Sequence, residues 1–232
     1  MTAPARFWPR YVAWSLDAAL ICVAIVPFVA ARVRAAASAF DDHLLQLLIG
    51  GYTHLDRGLN EGLPALALTP RLLADPQIRA TTLALAADLV RMGLPVLVGY
   101  VVAGLVYQVA AESTGWRATP GKRVLGLEVV DGQGRALGPL RALARYLASA
   151  LSWLSLNLGH MMAMAPPHHL ALHDRVSATR VRARSPERPL PRWALGWVLL
   201  QVLLGVVVCV ALVVAFSRLA LQALEAALGP IG

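Results

Sequence analysis

With 232 residues, 58% hydrophobic and only 15% charged side chains and a mean hydropathy of +0.61, the chain is too apolar for a soluble domain and reads as a polytopic membrane protein. Its formal net charge of +8 marks loops held in the cytoplasm and not a nucleic-acid surface, because the Lys and Arg residues flank bilayer-length apolar runs. Cys22 and Cys209 stand singly inside such runs, which excludes a disulfide framework and a zinc-ligand spacing.

Residues 11–31, YVAWSLDAALICVAIVPFVAA, form the first predicted span, since about 20 apolar residues cross ~30 Å of hydrocarbon. Arg6 and Arg10 precede it, and Phe7, Trp8 and Tyr11 make an aromatic belt. A cleaved signal peptide does not fit, because Arg32 and Arg34 separate the apolar core from the AAASA site and Asp17 lies inside that core.

Residues 32–82 carry five Arg and five acids, a neutral balance typical of an outer loop. Asp41-Asp42 ahead of a leucine cluster, Gly50-Gly51 and the Pro64, Pro70, Pro76 series predict short amphipathic helices on the outer interface. The second span follows at Met92–Ala111, with Gly99 and Ala103 as a small-residue helix contact and Asp88 and Arg91 as an ion pair at its outer end.

Thr119 to Asp131, TPGKRVLGLEVVD, sits between the apolar blocks. Val124–Val130 reads as a strand, Asp131 to Gly134 as its turn and Arg135–Leu137 as a return strand, so the centre of the chain is expected to be a basic hairpin and not a helix. Thr179 to Arg182, TRVR, alternates as a further strand would, and a lone hairpin is marginal in water, so 178–183 should join it in a three-stranded sheet.

Leu140–Ala165 is apolar, with Arg141 and Arg145 left at the surface of its first turns and SLNLG interrupting it. Both flanks are basic and want the same side, which favours a broken or re-entrant hairpin turning near Asn157-Leu158-Gly159. Trp193–Phe216 is an unambiguous span and Arg218–Leu228 its amphipathic tail. The fold class is thus an all-α polytopic membrane protein, with three full transmembrane helices, a broken or re-entrant helical hairpin and a small cytoplasmic β-hairpin or sheet. Its parts are a first span at 6–33, an extracytoplasmic insertion at 34–82, a core at 83–183, and a basic linker, extra span and tail at 184–232.

The enzyme templates fail. TPGKR lacks the first Gly and the Ser/Thr of a phosphate loop; His160, His168, His169 and His173 offer no i,i+4 pair on a clear helix; there is no G-x-S-x-G or H-E-x-x-H. No enzyme, cofactor or metal is expected. What remains is charge in or beside the membrane: Arg10 and Asp17, two helical turns apart on one face, where a buried carboxylate must be paired, protonated or facing a wet cavity.

RYVAWSLDAALI, TPGKRVLGLEVVDGQG, ALARY and LALHDRVSAT, in that order, resemble the RDD family of bacterial membrane proteins, over residues 6–33 and about 92–183. The resemblance makes Arg10 the family arginine and Asp17 and Asp174 its two aspartates, with Lys122, Arg123, His173, Arg175 and Asn157 as supporting residues. Ser177-Ala178 stands where the family has Ala-Gly, and residues 34–82 and the span after 192 lie outside its pattern. It implies an inner-membrane protein with a transport-related role, proton- or cation-coupled through the Arg/Asp/Asp set, in which both aspartates exchange a proton or cation while Arg10 biases their pKa. The alternative is a scaffold or accessory subunit in which the same charges lock helices together. The expected partners are the lipid bilayer and, beyond it, a second copy or another membrane protein; nucleic acid is not expected. Arg10, Asp17 and Asp174 should converge at the inner mouth of the first span, with Asp17 bonded to Arg10 or to Ser152, Ser155 or Asn157, so that losing Asp17 alone hurts more than losing Arg10 and Asp17 together.

Overall fold

The computed structural model describes residues 3–155, 158–165, 167–185 and 189–229. Three helices are long and apolar enough to cross a membrane: α1 (Phe7–Asn60), α3 (Pro76–Ser113) and a C-terminal helix, α8 (Arg192–Leu228). Between the first two lies α2 (Ala65–Ala74). Between α3 and α8 come α4 (Pro120–Val124), β2 (Leu127–Asp131), α5 (Pro139–Leu154), α6 (Leu158–Met161) with a following 3-10 turn, α7 (Leu172–Val176) and β3 (Thr179–Ala183). A two-residue strand, β1 (Ala3–Pro4), precedes α1. The fold is an all-α polytopic membrane fold carrying one small sheet, as the hydropathy pattern requires.

Residues cluster into two compact units, Met1–Val26 with Gly99–Gln201 and Pro27–Val98 with Val202–Gly232. These boundaries cut each long helix, whereas the sequence suggested breaks near 33, 82 and 183.

In the second unit, one of the predicted short helices is present as α2, between Pro64 and Asp75, and the rest of that segment is continuous helix. α1 runs through Asp41-Asp42 and Gly50-Gly51 to Asn60, and α3 begins already at Pro76. Each interior glycine costs roughly 1 kcal/mol of helix propensity, but a Cβ at Gly50 would stand only 2.8 Å from Ile78 Cδ1, so close helix approach offsets it. The expected Asp88–Arg91 pair is present at 3.0 Å, and His43 Nδ1 lies 2.6 Å from the other Asp88 oxygen. α8 continues without a break to Leu228, so the predicted tail Arg218–Leu228 extends the same helix.

In the first unit, β3 pairs antiparallel with β2 in the register Leu127↔Ala183, Val129↔Val181, Asp131↔Thr179. The sheet is three-stranded, in the order β1-β3-β2, with Ala3 opposite Ala183. The strand expected at 178–183 is therefore present as β3 and pairs with β2 as expected, while the remaining strand of the sheet is β1 and not a return strand after the turn. Arg135–Leu137 does not return as a strand; Asp131 Oδ1 accepts from the Gln133 and Arg135 amides at 2.9 Å each, closing the turn, and the chain then leads Leu137 into the core. Pro120–Val124 forms the short helix α4 where no helix was expected, so β2 starts three residues later than the predicted Val124. Leu127, Val129, Val181, Leu137, Ala142, Ala13 and Ala5 form one core joining the sheet to α1 and α5. On the sheet, Glu128 faces Arg182 directly and accepts its guanidinium at 3.1 Å, an opposite-charge cross-strand pair.

The broken reading of 140–165 holds to this extent: α5 has 16 residues, about 24 Å of helix, too short to cross, and α6 and a 3-10 turn follow. Asn157, expected at the turn, lies outside the described residues.

α4 lies against α1 without room for a side chain at Gly121, where a Cβ would collide with the Ala13 carbonyl and come within 2.8 Å of Asp17 Oδ1. Gly121→Ala is expected to lower stability by about 1–3 kcal/mol through overpacking, whereas Gly115→Ala, in open space, should leave it nearly unchanged; thermal melting in detergent compares the two.

Candidate functional site

Asp174, in α7, has no exposed surface. Arg10 Nη2 donates to its Oδ2 at 2.7 Å, Arg145 Nη1 to its Oδ1, and the Ala171 amide to Oδ2 at 3.0 Å. Burial alone would raise its pKa, but the guanidiniums of Arg145 and Arg10 outweigh it and hold the carboxyl well below the ordinary range. Asp174 is thus held as a carboxylate between two guanidiniums.

Arg145 is the centre of the arrangement and was misread. It does not stay at the surface: it is 5% exposed, and besides Asp174 it donates to Thr179 Oγ1 at 2.7 Å and pairs with Glu112 Oε2 at 3.2 Å through Nε. Glu112, near the end of α3, is 2% exposed and its other oxygen accepts from Lys122 Nζ at 2.6 Å. A chain of charges thus runs Arg10–Asp174–Arg145–Glu112–Lys122, fastening α1, α7, α5, α3 and α4. Neither Glu112 nor the depth of Arg145 was foreseen; ALARY carried the arginine, and Glu112 is the one acid closing the second apolar run.

Asp17 belongs to a second knot. Its Oδ1 accepts from Tyr107 Oη at 2.6 Å and the Gly121 amide at 2.8 Å, and its Oδ2 from Thr119 Oγ1 at 2.5 Å. Thr119 occupies the N-cap position of α4, yet its hydroxyl goes to Asp17 and not to its own helix, so the span's carboxylate accepts the first-turn Gly121 amide that a local cap would serve. Of the partners expected for Asp17, Ser155 Oγ bonds its own helix and Ser152 Oγ has no partner among the described residues, while Asn157 lies outside them.

Of the supporting residues, Lys122 is in the network. His173 stands 3.5 Å from Asp174 through Nε2 and 5.2 Å, ring to ring, from His160. Burial pushes the His173 pKa well below 6.5, and Arg145 adds to it, so the ring is neutral. Arg123 instead stacks 4.4 Å over Trp116, and Arg175 is exposed to solvent.

These groups wall a cavity of about 340 Å³. Arg10, Asp17, Lys122, Arg145, His160 and His173 supply its charged and titratable lining, and Phe7, Tyr11, Trp14 and Met161 an aromatic and thioether side. In three of these lining residues a nitrogen, Arg10 Nε and the Nδ1 atoms of His160 and His173, is buried without a hydrogen-bond partner among the described residues.

Asp17 and Arg10 do not share their bonds, so the Arg10/Asp17 double substitution to Ala should be additive, while Asp17→Asn with Thr119→Val should show coupling of about 1 kcal/mol or more in melting measurements. Arg145→Met is expected to destabilise by about 3–5 kcal/mol, because it strands Glu112 and Asp174. For His173 the folded pKa is depressed, so protonation favours the unfolded chain: stability is full above about pH 6.5 and falls as pH drops below it. His173→Phe should flatten that part of a melting-temperature profile between about pH 6.5 and 5.

The RDD family model matches residues 4–178. Its match runs across residues 34–82, which the motif resemblance had left out, and stops before α8. An uncharacterized protein of Bacillus subtilis (strain 168), YxaI, is 26% identical over 184 residues, covering 78% of this chain and 98% of that one. No solved structure matches. With three apolar helices of membrane-spanning length and a family match covering most of its length, the chain is a multi-pass membrane protein and belongs to the RDD family.

Proposed function

We propose that this chain is a non-enzymatic, transport-related protein of the bacterial inner membrane, its amino terminus in the cytoplasm, that takes a ligand into the cavity beside Arg10. The observation that carries this reading is a 340 Å³ space, within the range of small-molecule sites, walled by charged groups with unspent hydrogen-bonding capacity. In this reading Asp174 and Asp17 have structural roles. They hold Arg10, Arg145 and the α4 loop in place, as the depressed Asp174 pKa and the three bonds onto Asp17 favour.

Orientation rests on charge. Residues 1–10, 111–145 and 173–192 hold 14 Lys/Arg against five acids, while 32–82 holds five against five. A second reading, a scaffold or accessory subunit, is favoured by α8: none of its most apolar window is buried within the chain, which leaves it for lipid, a second copy or a partner's helices.

Two measurements test these readings. With Cys22 and Cys209 replaced, single cysteines at Ser113 and Ser185 should resist membrane-impermeant labelling in intact cells; ready labelling of either reverses the orientation. Reconstituted full-length protein should dissipate a pH or Na⁺ gradient or carry a solute if it is a transporter. Inactivity alone, with co-purification of another membrane protein in mild detergent, transfers the conclusion to the accessory role.

A further inference from the structure

We propose that the cavity beside Arg10 binds an organic anion, a phosphate or carboxylate head borne on an apolar body, and not a metal or organic cation. The inference rests on reading the cavity as a ligand site, and follows from which hydrogen-bonding capacity is already spent. A cation would need free acceptors. Asp17 is the carboxylate on the wall, and three of its roughly four acceptor positions are occupied by Tyr107, Thr119 and Gly121. Glu112 and Asp174 line up behind the wall, each oxygen engaged by Lys122, Arg145 or Arg10.

Donors are left over instead. Arg10 Nε is buried with no acceptor among the described residues, and a guanidinium N–H has no tautomer that could relieve it. Lys122 Nζ has three donors and spends one on Glu112. The histidine Nδ1 atoms can present either role, so they do not oppose an anion. An unmatched buried donor costs free energy that an oxyanion would recover, and a phosphate or carboxylate is the group with acceptors enough to meet both cations.

The aromatic part of the lining sets the rest of the ligand. Phe7, Tyr11 and Trp14 lie on the first turns of α1, with the Phe7 and Tyr11 rings stacked at 6.4 Å and the Tyr11 and Trp14 rings tilted at 6.2 Å. Such a wall favours an aryl or alkyl body over a bare inorganic ion. The same chemistry describes a soluble aryl phosphate and the glycerophosphate head of an anionic lipid.

The full-length chain in phosphatidylcholine nanodiscs is titrated calorimetrically with four probes: naphthyl phosphate, naphthylmethylammonium, and the short-chain lipids dihexanoyl phosphatidylglycerol and dihexanoyl phosphatidylcholine. Saturable binding of naphthyl phosphate assigns a soluble anion, and of phosphatidylglycerol alone a lipid head; either supports the proposal. Arg10→Lys keeps a cation for Asp174 but removes the free Nε–H, and should weaken anion binding about tenfold or more. Should that variant not fold, Ser149→Phe obstructs the cavity from α5 at a position whose hydroxyl bonds only its own helix, at Tyr146 O, and should abolish binding. Equal or tighter binding of naphthylmethylammonium overturns the anion assignment while leaving the cavity a ligand site. Saturation by none of the probes, or full affinity in Ser149→Phe, overturns both.

Discussion

The desolvation of one carboxylate governs this structure. Asp174 is removed from water entirely, and an unpaired ion in such a place costs several kcal/mol. Two guanidiniums from different parts of the chain, Arg10 and Arg145, meet that cost. Arg145 is then itself buried and needs more negative charge than Asp174 supplies, which brings in Glu112; Glu112 in turn requires Lys122. Each pairing obliges the next, and the helices that carry the partners have little freedom left.

A second constraint works beside the first. Asp17 sits inside an apolar span, where a carboxylate is tolerated only if its lone pairs are filled. The Thr119-Pro120-Gly121 segment and Tyr107 fill them, and Gly121 is small because α4 must come that close to α1. The two knots share no hydrogen bond, yet both end on α1 and α4, since Lys122 follows Gly121 directly. The loop between the apolar runs is thereby held at a span from two sides.

Much of this was legible in the residues. Hydropathy gave the three long helices, alternation in TRVR gave β3 and its pairing with β2, and the motif resemblance brought Arg10 and Asp174 together. Arg145 was not legible, because an arginine entering an apolar block is equally consistent with a cation left at the interface; only the tertiary position of Glu112 and Asp174 pulls it inside. The return strand at Arg135–Leu137 failed because Asp131 satisfies the turn amides with its side chain and β2 finds its ladder partner some fifty residues on, at β3. Gly50-Gly51 and Asp41-Asp42 were read as punctuation, but local breakers lose when neighbouring helix surface rewards continuity.

The edge strand β1 has a consequence in time. A chain emerging from the ribosome presents Ala3, Pro4 and Arg10 first, but their partners, Arg182, Ala183 and Asp174, are made near the end of the family-matched region. Asp17 can be satisfied once Gly121 exists, whereas Arg10 must wait through more than fifty further residues. Insertion of the first span therefore precedes the closing of the site by most of the length of the chain. The last step of assembly is a long-range closure that zips the amino terminus onto β3, the kind of contact that folds slowly and that a truncated translation product never makes.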